Sequence, residues 1–215
     1  MWKFIKRVFY ILVIINVLSL VWGRFFNPLI TIIQVEGLVK DQKLDRDYIS
    51  YDEMGDNIKR AVIASEDQNF YKHNGFDFTA IQKAYEDNQK KKKIRGGSII
   101  SQQTAKNLFL WNGGGYFRKG LEAVFTFTIE KVWNKKIILE RYLNSIEMGQ
   151  GVFGIEAASK YYFGKSSKDL TKSEAAWIAV VLPSPKKYDP KNPTRAMQRK
   201  HARVLKQMNY MTLED

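Results

Sequence analysis

A mainly α-helical fold preceded by one N-terminal membrane helix is what this sequence predicts, and three observations carry it. Apolar residues recur at helical spacing in several separate stretches, no stretch alternates apolar and polar residues over as many as six positions, and the N-terminus opens with a nearly unbroken apolar run. The length of 215 residues suits one well-buried domain with a short appendage, and 45% hydrophobic content supplies a core and argues against disorder.

The apolar run extends from Val8 to Trp22, broken only by Asn16 and Ser19 and preceded by Lys3, Lys6 and Arg7. With Trp2, Phe4 and Ile5 added, and with Lys6 and Arg7 reaching to the headgroups, it approaches the roughly 20 residues a spanning helix needs. A cleavable signal peptide shares the basic start and apolar middle, but Leu18 to Gly23 offers no small-x-small cleavage site. An uncleaved anchor is expected, with its basic end in the cytoplasm and the remaining chain outside the inner membrane. Phe25 to Ile33 contains Pro28 and reads as an interfacial or core-docking segment, so residues 1–33 form the anchor and 34–215 the globular domain.

Val35 to Tyr51 is polar and mixed, as befits a connection. Helical spacing then begins at Ile58, Ala61, Val62 and Ser65 and stops near Glu66 and Asp67. The spacing returns at Leu121, Phe125, Thr128, Ile129 and Val132, and again at Ile137, Ile138, Tyr142 and Leu143. Thr171 and Glu174 have the capping-box form, opening a helix through Trp177 and Val181 that Pro183 ends. A last helix is expected from Thr194 to Met208. Glycines at Gly96-Gly97 and Gly113-Gly114-Gly115 mark loops and a hinged middle from about residue 90 to 117.

Lys plus Arg exceed Asp plus Glu by 35 − 22 = 13, so the surface should attract anions: nucleic acid, phosphorylated small molecules or acidic lipid. The absence of cysteine excludes disulfides and thiolate metal sites. Four constellations could carry chemistry. Glu66-Asp67 lies at a helix end and is followed by Phe70, His73, Gly75 and Asp77; the bland reading is a solvated helix end. Gly96-Gly97-Ser98 opens a helix carrying Gln102, Gln103 and Lys106, suited to phosphate oxygens or simply a capped polar helix; without a Gly-Lys-Ser/Thr ending it is no nucleotide P-loop. Arg118, Lys119 and Glu122 occupy one helical turn, and the bland reading is a surface ion pair worth less than about 1 kcal/mol. Ile138 to Asn144, followed by Gly149 to Ala158, reads as core. The lysine run Lys90 to Lys93 reads as a solvated or lipid-facing patch rather than a nucleic-acid site.

Taken together, in this order and at these separations, the four resemble the peptidoglycan glycosyltransferases, glycosyltransferase family 51. The family motifs Glu-Asp-x-x-Phe-x-x-His-x-Gly, Gly-Gly-Ser-Thr-Ile-Thr-Gln-Gln-x-x-Lys-Asn, Arg-Lys-x-x-Glu and Ile-Leu-Glu-x-Tyr-Leu-Asn are matched from Glu66, Gly96, Arg118 and Ile138. Tyr161 to Lys165 matches a fifth, and Leu108 to Trp111 with Arg118 to Ala123 looks like the monofunctional branch. The resemblance covers roughly Val35 to Met208. It implies a lysozyme-like helical domain with a small membrane-associated lobe and a cleft between them. By motif match it implies Glu66 as catalytic base and Glu122 as second carboxylate, with Ser98, Gln103, Lys106, Arg118 and Lys119 binding a lipid-diphosphate substrate. A Mg²⁺ or Mn²⁺ ion at Glu122, lipid II and the growing glycan strand as substrates, and other cell-wall synthesis proteins as partners are further expectations. Among the departures from the pattern, Ile99 stands where the family usually has Thr, and Gly114 where it often has an arginine, whose loss Lys93 or Arg95 would have to offset. A non-catalytic cell-wall scaffold and a lysozyme-type glycan-cleaving enzyme are the rival readings.

Overall fold

The computed structural model describes residues 2–76, 82 and 98–214. Its architecture is helical, as the spacing predicts. The motif glycines Gly96 and Gly97, the lysine run Lys90 to Lys93, Arg95 and Asp77 lie outside the described residues.

The apolar N-terminus forms one helix, α1 (Trp2–Phe25), of 24 residues. Trp2, Phe4, Ile11, Ile14, Leu18 and Trp22 are exposed on it. Among the described residues no helix is long and apolar enough to cross a membrane. The C-terminal end of α1 is tied into the domain. Leu20 is buried, and its carbonyl accepts the indole N–H of Trp133 at 2.9 Å. Arg141 donates from Nε to the Gly23 carbonyl at 2.8 Å, and Arg24 donates to the Val132 carbonyl. A Cβ at Gly23 would stand 2.8 Å from the Trp133 ring, so glycine is what lets the two pack.

One expectation is corrected here. The segment read as an interfacial stretch and a polar connection contains a second helix, α2 (Ile32–Asp41). Thr31 and Gln34 form a reciprocal capping box that satisfies two free backbone donors, and the helix ends at Gln42 in the left-handed region at φ 51°. Beside the helices there is a small sheet: β1 (Asp45–Arg46), β2 (Glu147–Gly149) and β3 (Val152–Phe153) lie in the order β1-β3-β2, with β1 parallel and β2 antiparallel to β3. Strands of two or three residues are too short to show a period-two pattern.

The remaining helices are α3 (Asp56–Glu66), α4 (Ile100–Phe109), α5 (Gly115–Val132), α6 (Lys135–Ser145), α7 (Ile155–Phe163), α8 (Lys172–Val181) and α9 (Arg195–Met208). Residues 100–109, inside the stretch read as hinged, are thus a regular helix. The capping box at Thr171 and Glu174 forms as expected and opens α8. Most of α8 is buried, through Ala175, Ala176, Ile178, Ala179, Val180 and Val181, and α3 and α9 pack against it and each other. Its small side chains permit that close approach. On the other side α4 packs against both α5 and α6, and α6 buries Ile138, Leu139, Tyr142 and Leu143 completely, the structural role their spacing indicates. Each such aliphatic side chain contributes roughly 1.5–3 kcal/mol on leaving water. The core therefore clamps the end of α3 and the whole of α4, and the candidate site is built on these two.

Candidate active site

Glu66 is the last residue of α3, and Asp67 caps the helix, its backbone N–H donating to the Ile63 carbonyl. The adjacent carboxylates then part. Asp67 is buried and turns inward: its Oδ2 accepts the Ile100 N–H at 3.2 Å and it meets His73 Nε2 at 3.0 Å. Because His73 Nδ1 accepts the Gly75 N–H, the ring proton sits on Nε2 and points at Asp67. Asp67 thereby pins the start of α4 to the end of α3, which is structural work.

Glu66 faces the other way, its side chain 13% exposed. Gln103 on α4 donates from Nε2 to Glu66 Oε2 at 3.1 Å, and the buried Tyr142 hydroxyl donates to Gln103 Oε1 at 3.0 Å. That phenol fixes the amide so that its NH₂ end meets the carboxylate. Burial, with Glu66 and Asp67 adding to it, raises the Tyr142 pKa well above its ordinary value, which keeps the phenol a donor. Ser65 Oγ lies 2.8 Å from Glu66 Oε1, and Lys200 Nζ on α9 lies 3.7 Å from the same oxygen.

The second carboxylate is set at the start of α5. Gly113, Gly114 and Gly115 all have positive φ, and Gly114 at φ 80° caps the helix. A Cβ at Gly114 would stand 2.9 Å from Arg118 Cβ and 3.0 Å from the Trp111 indole nitrogen. This backbone has no room for the arginine the family often places there. One turn later Arg118 and Lys119 each pair with a different oxygen of Glu122, whose side chain is only 4% exposed. The surface-pair reading of this turn fails, because Glu122 is buried beneath its cations. Arg118 Nε also donates to the Gly113 carbonyl at 2.5 Å, closing the glycine loop over the turn.

Helix α4 joins the two carboxylates. Gln103 holds Glu66, while Gln102 Oε1 on the preceding residue accepts from Lys119 Nζ at 3.4 Å, and Ser98 Oγ is also 3.4 Å from that ammonium. Lys106 follows one turn after Gln103. Its pKa is lowered, first by burial and then by Arg118 and Lys119, while Glu122 and Glu36 oppose the shift. Among the described residues Lys106 has no carboxylate at ion-pair distance. Three cations thus surround one buried carboxylate, and the surplus positive charge suits a dianionic group.

The same charges bear on a metal. Both oxygens of Glu122 are engaged by cations, and the described residues contain no group of three His, Asp or Glu side chains able to hold an ion. With both Glu122 oxygens engaged by cations, these residues do not fit a Mg²⁺ or Mn²⁺ ion held by protein side chains alone.

Of the residues singled out in the sequence, Glu66 and Gln103 meet directly, and Ser98, Lys106, Arg118, Lys119 and Glu122 gather one turn along α4. Gln103 contacts the carboxylate of Glu66 rather than the cations. Sequence reading missed Ser65, Lys200 and the hydroxyl of Tyr142. The last two had no local signal, since Tyr142 lies within a core-like spacing and Lys200 is one of several bases in α9.

The family described as transglycosylase matches residues 33–209 of this chain. The chain is similar to the biosynthetic peptidoglycan transglycosylase of Mannheimia succiniciproducens, 51% identical over 173 residues that cover 80% of this chain and 71% of that protein. It is likewise similar to the protein of that name from Caulobacter vibrioides, 44% identical over 214 residues covering 96% and 93%. The namesake from Pseudomonas fluorescens is 45% identical over 204 residues covering 92% and 85%.

Proposed function

The chain belongs to the transglycosylase family, as a glycosyltransferase of peptidoglycan synthesis at the cell envelope, and from that premise we propose that it polymerises lipid II into β-1,4-linked glycan strands, with Glu66 as general base. The observation that carries this reading is the division of labour along α4: a carboxylate aimed by Gln103 at one end, and three cations around a buried carboxylate one turn away.

Joining two sugars by displacing a lipid diphosphate requires an activated acceptor hydroxyl and a stabilised anionic leaving group. Glu66 takes the proton from the 4-hydroxyl of the N-acetylglucosamine on incoming lipid II as that oxygen attacks the anomeric carbon of the growing chain. The bond to the diphosphate breaks with its electron pair, and direct displacement turns the α-linked donor into a β-1,4 link. Lys106, Arg118 and Lys119 neutralise the charge collecting on the diphosphate, a preorganised electrostatic effect worth several kcal/mol in such sites (about 3–4 for one donor). Glu122 orients Arg118 and Lys119 from beneath; without it the two cations would repel. Ser98 lies beside Lys119, on the donor side.

The exposed apolar residues of α1, α2 and α5 support work at a bilayer. Leu29, Ile32 and Val39 around α2, and Phe117 and Phe127 on α5, all face out. We place the catalytic domain on the outer face of the inner membrane, where a lipid-linked substrate stays within reach. The test is to incubate the purified chain in lipid vesicles with lipid II and resolve the products on a gel. Strands longer than the starting disaccharide are expected. Cleavage of finished glycan strands without polymer would favour the lysozyme-type enzyme, and neither activity would favour the scaffold.

A further inference from the structure

We propose that Glu36, on α2, is a positioning residue for Arg118: through Asn112 it holds the glycine loop ahead of α5, and the loop in turn aims the guanidinium at the diphosphate. This rests on the reading of Arg118 as a diphosphate-binding cation. Asn112 Nδ2 donates to Glu36 Oε2 at 2.9 Å, and the Asn112 backbone N–H donates to Glu36 Oε1 at 3.4 Å. The carbonyl of the next residue, Gly113, accepts from Arg118 Nε at 2.5 Å, and Nη1 of the same guanidinium pairs with the buried Glu122. Arg118 is thus gripped from two sides, by the loop at Nε and by Glu122 at Nη1.

The loop has little of its own to fix it. Gly113, Gly114 and Gly115 stand at φ 86°, 80° and 53°, and glycine loses more conformational freedom on being held than any other residue. A Cβ at Gly113 or at Gly115 would meet nothing within 4 Å, so neither is packed against a neighbour. An outside anchor is needed, and α2 is well seated to be one. Its capping box is complete, Ile33, Gln34 and Gly37 are buried, and a Cβ at Gly37 would stand 3.0 Å from the Phe153 ring. Glu36 lies next to Gly37 with its side chain 25% exposed. It pairs also with Lys40 at 3.8 Å, but that lysine is 66% exposed, so the pair is loose and competes weakly with Asn112.

The helix that offers Ile32, Val35, Leu38 and Val39 to the outside therefore also holds one wall of the diphosphate site. The loop brings no cation of its own, Gly114 standing where the family often has an arginine, so the aim of Arg118 counts for more. A rival route exists, because the Glu36 charge also favours the Lys106 ammonium against the burial that lowers its pKa. Hydrogen bonding and charge are separable by substitution.

The experiment measures kcat and KM for lipid II polymerisation by the whole chain in vesicles, carrying Glu36→Ala, Glu36→Gln or Asn112→Ala, each with Arg118 intact and with Arg118→Lys, and a thermal melt for each. A misplaced group costs a reaction up to about 100-fold. Glu36→Ala and Asn112→Ala are each expected to lower kcat/KM by about 10-fold, chiefly in kcat, because the charge that Arg118 meets grows as the bond to the diphosphate breaks. Glu36→Gln keeps an acceptor for Asn112 while losing the charge, and should stay within about 3-fold of the wild type. Arg118→Lys keeps the cation, and with it a measurable rate, but has no Nε–H for the Gly113 carbonyl, so in that background the Glu36 and Asn112 substitutions should cost nothing further. Wild-type kcat/KM in both alanine variants, or the same loss whether residue 118 is Arg or Lys, would overturn the proposal. Glu36→Gln as impaired as Glu36→Ala would overturn it in favour of charge acting on Lys106. If Glu36→Ala does not fold, Asn112→Ala, at an exposed position, decides by the same comparison of backgrounds. Wild-type turnover by Arg118→Lys alone would instead overturn the reading of Arg118 and the proposal with it.

Discussion

Glu122 shows why a carboxylate's neighbours decide its role. Its side chain is 4% exposed and each oxygen meets a cation, so replacing it with an amide leaves Arg118 and Lys119 facing each other without their counter-charge. Removing one partner of a buried pair costs about 3–5 kcal/mol, but Lys119 is half exposed, so a loss nearer ~2 kcal/mol is expected for Glu122→Gln. Denaturant unfolding measures it. Polymerisation should fall by roughly 100-fold or more, and added Mg²⁺ should not restore it if Lys106, Arg118 and Lys119 hold the diphosphate as proposed; rescue across a metal titration would count against that arrangement. Lys106 makes the contrasting case. With its pKa lowered by burial, its protonated form is less stable in the fold than in the unfolded chain, so the penalty is present at neutral pH and is relieved as pH rises through the folded value. Lys106→Met should therefore leave stability unchanged or slightly higher while turnover falls by about 100-fold. Wild-type turnover should also decline on the alkaline side below the ordinary lysine value of 10.5. The candidate residues themselves were legible in the sequence as motifs. Their division of labour was not, because that Gln103 holds Glu66 while Lys106 has no carboxylate at ion-pair distance among the described residues depends on which face of α4 each occupies, and residues 98–109 do not declare the partners of either face.

At the scale of elements, legibility followed length and capping chemistry. Apolar residues at helical spacing marked α3, α5 and α6, and the capping box with the flanking prolines marked α8 and α9, although α5 begins at Gly115, ahead of the first apolar repeat at Leu121. α2 escaped because Thr31 and Gln34, its capping box, lie at the edge of a stretch read as interfacial, and its face is too mixed to show a period. The sheet escaped because its strands are shorter than any alternation. The capping box opening α8 gives a direct stability test: Thr171 Oγ1 accepts the Glu174 N–H, and Glu174 accepts in return from Thr171 and pairs with Lys165 at 2.8 Å. Thr171→Ala should cost about 1 kcal/mol in urea unfolding. The Glu174 pKa is lowered from 4.5 to about 2, chiefly by Lys165 and then by Thr171. Its folded value being depressed, its stabilisation is complete above pH 4.5 and is lost as pH falls towards 2. Glu174→Gln should therefore flatten the acid side of the stability curve in that window and nowhere else, as melting temperatures from pH 7 to 2 would register.

For the whole molecule, the N-terminal helix α1 is tied into the domain that follows it. The buried Leu20, the Gly23 carbonyl held by Arg141 and the Leu20 carbonyl held by Trp133 all belong to the core's bonding. Sequence reading could not see this, because those bonds run from a helix end to residues more than 110 positions away. Removing residues 1–18 should leave them intact and, if α1 anchors the chain as proposed, lower polymerisation of lipid II in vesicles far more than in detergent, through loss of effective concentration. Removing residues 1–27 should also lower the melting temperature, because Arg141 and Trp133 lose their acceptors. Equal melting temperatures for the two truncations would contradict the bonding described. The central claim is that the carboxylate at the end of α3 is the base of a polymerising glycosyltransferase, and the most direct measurement is lipid II turnover by Glu66→Gln with its fold checked by circular dichroism. The amide keeps the shape and the contact with Tyr142-held Gln103 but cannot take the acceptor's proton, so turnover should fall by roughly a thousandfold or more in a folded protein. Glycan synthesis at the wild-type rate by that folded variant would contradict the account.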